Sequence, residues 1–155
     1  MVVETYKPLE ARIVNSFVLF LPGPTLTRYE PLRAKTGRMY PHPKTIAGLA
    51  AWRAAWVQSG RLHVEGPVIM EVYVRCKRPE SHTKTSGTLN ANGRRYPVPT
   101  GFDLSNVVKL VEDALKHMAF ADDSMIAALY VRKSWTRPGK PQGTEVTISG
   151  LHASL

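Results

Sequence analysis

The sequence contains little of what marks a membrane, secreted or disulfide-rich protein. No run of about 18 apolar residues occurs, so no membrane-spanning helix and no membrane partner are predicted. The N-terminal residues do not combine a basic stretch with an apolar run, as a secretory signal would. Cys76 is the only cysteine, so no disulfide can form within the chain. Together these absences favour the reducing cytoplasm.

Motifs for nucleotide, zinc and serine-hydrolase chemistry are also missing. No glycine-rich loop is followed by Lys-Ser or Lys-Thr, so no nucleotide cofactor is predicted. The five histidines lack the spacing of zinc ligands. No nucleophile-elbow pattern is present either.

Aspartate is scarce and unevenly distributed. The chain carries 21 Lys and Arg against 12 Asp and Glu, a net charge of +9 that favours a polyanionic partner. All four aspartates nevertheless fall between Asp103 and Asp123. Carboxylates are the ligands that Mg²⁺ prefers, and the ion can bridge them to a substrate phosphate. The pattern therefore indicates a cation site within a phosphate-binding surface.

The basic residues concentrate in two stretches, 28–61 and 75–95, each containing a single acid. Such stretches are typical of nucleic-acid contacts, and binding through them should weaken steeply with salt. The predicted DNA-binding side chains in these stretches are Arg28, Arg33, Lys35, Arg38, Lys77, Arg78, Lys84, Arg94 and Arg95.

The hydrophobic pattern predicts one α+β domain over residues 1–155, with a small mixed sheet and two main helices in the order β-α-β-α-β-β. Residues 25–42 are predicted to form a loop or an irregular hairpin, residues 79–101 a mobile basic loop, and residues 1–11 and 150–155 flexible ends. The alternative for residues 79–101 is an ordinary surface loop. The predicted strands and helices are 12–20, 43–59, 67–76, 105–118, 126–133 and 144–149.

Two tryptophans stand one helical turn apart in the first helix. Trp52 and Trp56 are predicted to be core or dimer contacts rather than a platform for base stacking.

The second helix separates the aspartates. It lies between Asp103 and the pair Asp122 and Asp123, and 14 residues rise by about 21 Å. The two groups can share a cation only if the chain after Met118 turns back along the helix. In that case the strand from Ile126 would start beside Asp103.

These residues form a recognisable motif. The segments Asp103-Leu104-Ser105-Asn106-Val107-Val108-Lys109, Asp113-Ala114-Leu115 and Asp122-Asp123-Ser124-Met125-Ile126, with Lys133 on the next strand, resemble the signature of the RusA family. That signature is Asp-x-Asp-Asn-x-x-Lys, Asp-Ala-Leu, Asp-Asp-Ser-x-Ile and a strand lysine. The resemblance covers roughly residues 16–149 and includes Pro22-Gly23-Pro24, Thr36-Gly37-Arg38-Met39-Tyr40 and Arg78-Pro79.

RusA-like proteins are homodimeric α+β nucleases that bind four-way DNA junctions and nick two opposing strands with Mg²⁺ or Mn²⁺. The resemblance therefore implies a metal-dependent Holliday junction endodeoxyribonuclease of the bacterial cytoplasm, encoded by a bacterium or a phage. The alternative is a branched-DNA-binding protein that retains the fold and cleaves weakly or not at all.

The resemblance also implies residue roles. Asp103 and Asp123 become metal ligands and Lys109 the catalytic lysine, with Lys133 as a further DNA contact. Asp122 is either a third ligand or a residue that caps the turn.

Two other positions of the motif are supporting residues by resemblance. Asn106 and Asp113 also have structural alternatives, Asn106 in the helix cap and Asp113 paired with Lys109 one turn away.

Ser105 departs from the signature, which has aspartate there. A neutral hydroxyl is a poor substitute for a carboxylate ligand. Three readings stay open: the site works with fewer carboxylates and more water, Glu112 compensates from the same helical stripe, or the protein binds junctions and cleaves poorly.

Overall fold

The structure, a computed structural model, describes residues 11–153. Within that range no helix has the length and apolarity needed to cross a membrane. Short 3-10 turns lie at Glu80–His82 and Asp123–Met125. The main elements are β1 (Ala11–Pro22), β2 (Leu32–Arg33), β3 (Met39–Tyr40), α1 (Pro43–Ser59), β4 (Val68–Cys76), α2 (Ala91–Arg95), α3 (Leu104–Leu115), β5 (Ile126–Trp135) and β6 (Gly143–Ala153).

One mixed sheet organises the fold, which confirms the predicted α+β class. Its strand order is β1-β6-β4-β5; β5 runs parallel to β4, and the other pairs are antiparallel. Strands β2 and β3 form a separate hairpin, as predicted for residues 25–42. Both edges of the main sheet, β1 and β5, carry exposed apolar side chains.

Residue 11 and residues 150–153, which fall in the predicted flexible ends, lie in strands β1 and β6. Ala11 at the start of β1 pairs with Ala153 at the end of β6. Leu151 in β6 also donates its backbone N–H to the carbonyl of Pro67, which directly precedes β4. Gly150 lies within β6 at a position with little room for a side chain. A Cβ there would lie 3.1 Å from Val64 Cγ1. Residues 1–10 and 154–155 lie outside the described range.

The helix predicted over residues 105–118 is shorter than expected. Helix α3 ends at Leu115, and His117 adopts a left-handed backbone with φ of 66°. The amide of His117 then bonds to the carbonyl of Phe120, which closes the turn that leads into β5.

The basic segment 79–101 is held by local hydrogen bonds. The Asn90 side chain caps α2 and also donates to the carbonyl of Ser81. The Arg78 guanidinium donates to the carbonyl oxygens of Gly93 and Tyr96 and stacks over Trp135. Its predicted mobility stays a prediction, but the segment is not structureless.

Helices α1 and α3 pack against each other and bury their apolar residues with one face of the sheet. Trp52 and Trp56 are 1% and 4% exposed, which confirms them as core contacts. Gly48 permits the close approach of the helices, since a Cβ there would lie 2.8 Å from Leu110 Cδ2.

Replacing Leu110 by alanine should destabilise the protein by about 2–5 kcal/mol, because Leu110 is fully buried and the truncation leaves a cavity. Thermal unfolding followed by circular dichroism should show a melting temperature lower by roughly 5–15 °C. The matched control is Leu62→Ala, whose side chain is 81% exposed and should have little effect. Equal melting temperatures for the two variants would contradict this packing.

Candidate active site

Asp103 lines a cleft on the surface of the protein. It precedes α3 as the N-cap residue but makes no side-chain capping hydrogen bond, so its carboxylate is available. The cleft has a volume of about 560 Å³ and is also lined by Arg28, Glu30 and Asn106. An adjoining depression is lined by Lys109 together with the same three residues. Asp103 and Lys109 therefore lie at neighbouring parts of one polar surface.

Arg28 fixes one wall of this cleft to α3. Its backbone N–H donates to the carbonyl of Asn106 at 3.0 Å, and its guanidinium donates to Asp113 Oδ2 at 2.8 Å. Asp113 therefore pairs with Arg28, and the alternative pairing with Lys109 is wrong. Arg28 is thus a structural residue as well as a predicted DNA contact.

Lys133 anchors the end of β5 beside Asp103. Its ammonium donates to the carbonyl of Phe102 at 3.0 Å and lies 4.9 Å from the centre of the Phe102 ring. The far end of β5 is thereby held next to the residue that precedes Asp103.

A second cluster of carboxylates, the Asp122–Asp123 pair, lies at the other end of α3. Asp122 and Asp123 begin the turn before β5, where Lys116 Nζ lies 3.1 Å from Asp122 Oδ1 and 3.6 Å from Asp123 Oδ2. Ser124 donates its hydroxyl to Asp122. Asp122 is thus engaged in ordering this turn.

Asp123 retains one unused ligand atom. Its Oδ1 is buried and has no hydrogen-bond partner, which suits an oxygen that binds a cation. Nearby, burial and then the negative charge of Asp123 raise the pKa of Glu112. Glu112 therefore lies near Asp123, at the same end of α3.

Within one chain, Asp103 and the Asp122–Asp123 pair lie too far apart to share a cation. Asp103 precedes α3 and Lys116 follows it, and 13 positions of helix rise by roughly 20 Å. Oxygen ligands of one Mg²⁺ lie about 2 Å from the ion. Among residues 11–153, no three His, Cys, Asp or Glu side chains are placed to hold a metal together.

The expectation that the strand from Ile126 starts beside Asp103 is therefore wrong. Strand β5 ends there instead, because it runs antiparallel to α3 and brings Lys133 to Phe102. For the same reason Glu112 does not replace the missing carboxylate at Ser105 within one chain, since Glu112 lies with Asp123.

Glu30 is a site residue that was not singled out from the sequence. It lies in the cleft with Asp103 and also lines the depression with Lys109. The available signal was its position as the only acid between Arg28 and Arg61.

The Lys116 ion pair gives a prediction about pH. Its hydrogen bond to Asp122, followed by that from Ser124, lowers the pKa of Asp122. A pKa lowered in the folded state stabilises the protein above the usual pKa of aspartate, and this contribution is lost as pH falls through that range. Lys116→Gln should therefore move the Asp122 carboxyl titration, followed by ¹³C NMR, to higher pH. Ser124→Ala should move it less; the reverse order would contradict the assignment.

The family comparison matches a range that includes both Asp103 and the Asp122–Asp123 pair. The model described as "Endodeoxyribonuclease RusA" matches residues 22–149. The chain belongs to the RusA family. The resemblance seen in the motif is thereby confirmed, and RusA membership implies an endonuclease that resolves Holliday junctions. No curated protein matches the chain.

One exposed basic feature of this RusA-family chain is the β2–β3 hairpin. Arg33, Lys35 and Arg38 are all exposed there, close in sequence to the cleft residues Arg28 and Glu30. Of the other predicted DNA contacts, Arg78 is held by local hydrogen bonds, as described above. Lys133 is half-buried and bonded to the carbonyl of Phe102, and the other four predicted contacts are exposed, namely Lys77, Lys84, Arg94 and Arg95.

Proposed function

We propose that the protein is a Mg²⁺-dependent endodeoxyribonuclease that resolves four-way DNA junctions by paired symmetric nicks. It would act as a homodimer in the bacterial cytoplasm, with Mn²⁺ able to replace Mg²⁺. The observation that carries this proposal is the RusA match over residues 22–149, which includes Asp103, Lys109 and Asp123.

The residues of the cleft suit binding and charge stabilisation at a phosphodiester. Lys109 is exposed beside Asn106 and is not hidden in the core, so its ammonium can approach a phosphate oxygen as charge develops there. Arg28 is already paired with Asp113 at 2.8 Å, so its main contribution is to hold the cleft wall in place. A divalent cation would polarise the phosphate and activate water.

A homodimer suits the substrate by symmetry. Two identical sites related by a two-fold axis match a four-way junction whose two continuous strands are related in the same way. Paired nicks then follow from two equivalent sites acting on equivalent phosphates.

A Mg²⁺ titration tests this function. The purified protein is incubated with a four-way junction labelled on each strand in turn, with EDTA and an unbranched duplex of the same sequence as controls. We expect nicks at symmetry-related positions in two opposing strands, dependent on Mg²⁺ and absent from the duplex. Absence of product at all concentrations of Mg²⁺ and Mn²⁺ would contradict a nuclease.

Ser105 supports the second candidate function, a junction-binding protein that cleaves weakly or not at all. The residue occupies the position of a carboxylate in the family signature and is exposed beside Asp103. In the same titration, tight junction binding without nicked product would favour this alternative.

A further inference from the structure

An aromatic pocket lies beside the candidate active site, between the β2–β3 hairpin and the start of α1. Its volume of about 240 Å³ is below the range of roughly 300–1,000 Å³ typical of pockets for drug-sized ligands, so it suits a single flat ring system. Tyr29, Met39 and Tyr40 are 40%, 55% and 43% exposed, so a ligand can reach them. The walls are mostly apolar or aromatic and include Tyr29, Pro31, Met39, Tyr40, Pro41 and His42.

Two hydrogen bonds to the first turn of α1 hold the pocket in shape. The backbone N–H of Tyr29 donates to the buried hydroxyl oxygen of Thr45 at 2.9 Å. His42 caps α1, where its Nδ1 accepts the backbone N–H of Lys44. The rings of Tyr29 and His42 stack with their centroids 4.8 Å apart. This aromatic wall is therefore formed before a ligand arrives, which reduces the entropy lost on binding.

The pocket is continuous with the surface that carries the proposed chemistry. Tyr29 lines the pocket, the depression that contains Lys109 and the cleft that contains Asp103. Pro31 lines both the pocket and the Lys109 depression. A DNA strand whose phosphate is held near Lys109 therefore has its neighbouring bases close to the aromatic rings.

Positive charge surrounds the apolar walls. Arg33, Lys35 and Arg38 are exposed on the hairpin, and Lys44 Nζ lies 5.3 Å from the centre of the Tyr29 ring. Proteins that bind unpaired nucleotides combine such cations with aromatic rings on which the bases stack. A second copy of this chain, with its net charge of +9, would be repelled here. The charge therefore favours a nucleic acid as the occupant.

We propose that this pocket takes one unpaired base of the branched DNA, stacked against Tyr29 and Tyr40, while the hairpin cations hold the flanking phosphates. When the His42 ring is neutral, the use of Nδ1 as an acceptor places the hydrogen on Nε2, which can donate it to the base. Unstacking costs least for a base that is mismatched or already unpaired, so the branch point is the expected position. The inference rests on the proposed function, because it concerns the same DNA substrate.

Binding to junctions that differ by one base tests the pocket. Fluorescence anisotropy in EDTA measures the affinity for a four-way junction with one unpaired thymine at the branch point, and for the same junction with an abasic site there. We expect the protein to bind the thymine junction roughly five- to 100-fold more tightly, the factor that stacking of one base contributes. Equal affinities would overturn the pocket. Because no cleavage takes place in EDTA, that outcome would leave the nuclease function standing.

Substitutions at Tyr40 locate the effect. Tyr40→Leu removes the ring and should lose most of the preference for the thymine junction, whereas Tyr40→Phe keeps the ring and should retain it. Phe20→Leu, on β1 and outside the pocket, removes a ring that is 39% exposed and should leave the preference unchanged. Circular dichroism checks that each variant is folded. Full preference in Tyr40→Leu, or its loss in Tyr40→Phe, would overturn the stacking role of this ring.

Photo-cross-linking shows where the base lies. With 5-iodouracil in place of the unpaired thymine, irradiation should join the DNA to Tyr29 or to residues 39–42, identified by mass spectrometry. Phe102 is a competing ring because it lines the neighbouring cleft, although it is half-buried and its centre lies 4.9 Å from Lys133 Nζ. Cross-links confined to Phe102, or to other residues outside the pocket, would overturn the assignment whether or not the protein cleaves DNA.

Discussion

Asparagine at position 123 is expected to slow junction cleavage by a factor of about 100 to 1000, the loss typical of removing one preorganised electrostatic contact at a reacting phosphate. Asp123 has a buried oxygen without a hydrogen-bond partner, and an amide of the same shape supplies a much weaker ligand for Mg²⁺. Junction affinity should be unchanged or higher, because a negative charge is removed from a surface that binds phosphates. Single-turnover cleavage and fluorescence-anisotropy binding measure the two quantities separately.

The neighbouring residue supplies the matched control for this variant. Asp122 precedes Asp123, its side chain is 51% exposed, and it pairs with Lys116, whereas a buried oxygen without a partner belongs to Asp123. Asp122→Asn should therefore lower the cleavage rate only a few-fold. Equal losses in the two variants would show that the turn as a whole matters and not the carboxylate of Asp123.

The second large effect concerns salt. A dimer that contacts several phosphates through basic side chains should lose roughly 10³-fold or more in junction affinity between 50 and 200 mM salt. The exposed hairpin residues Arg33, Lys35 and Arg38 are expected to provide part of this dependence. Binding isotherms at four or five salt concentrations give the slope of log affinity against log salt.

Removing the hairpin charges tests where that dependence arises. The triple alanine variant at positions 33, 35 and 38 should weaken binding and lower the slope by about one for each phosphate that is no longer neutralised. Arg12→Ala, on β1 beside Glu65 and His152, removes an exposed charge elsewhere and should leave the slope unchanged. An unaltered slope in the triple variant would exclude the hairpin from the DNA interface.

Local sequence pattern predicted most of the sheet and both main helices, since each has its own hydrophobic period. It failed where long-range contacts decide an element's length. Gly150 interrupts the strand pattern, yet β6 continues to Ala153 because it pairs with the start of β1. The ion pair of Arg28 with Asp113 joins positions 85 residues apart, so no local rule could reveal it.

The chemistry of the site was easier to predict than its geometry. The clustering of Asp103 and Asp123 in a basic chain indicated cation ligands, and the motif assigned the family. Whether they meet depends on the direction of β5 relative to α3, and the hydrogen bond from Lys133 to Phe102 shows that the end of β5 lies beside Asp103. Sequence spacing permits either direction.

Crystals of the protein grown with Mn²⁺ test the candidate metal ligands most directly, because anomalous scattering locates the ion without reference to activity. We expect an anomalous peak about 2 Å from a carboxylate oxygen of Asp123, whose Oδ1 is buried and has no hydrogen-bond partner. An ion bound to neither Asp103 nor Asp123 would contradict the assignment of these carboxylates as metal ligands.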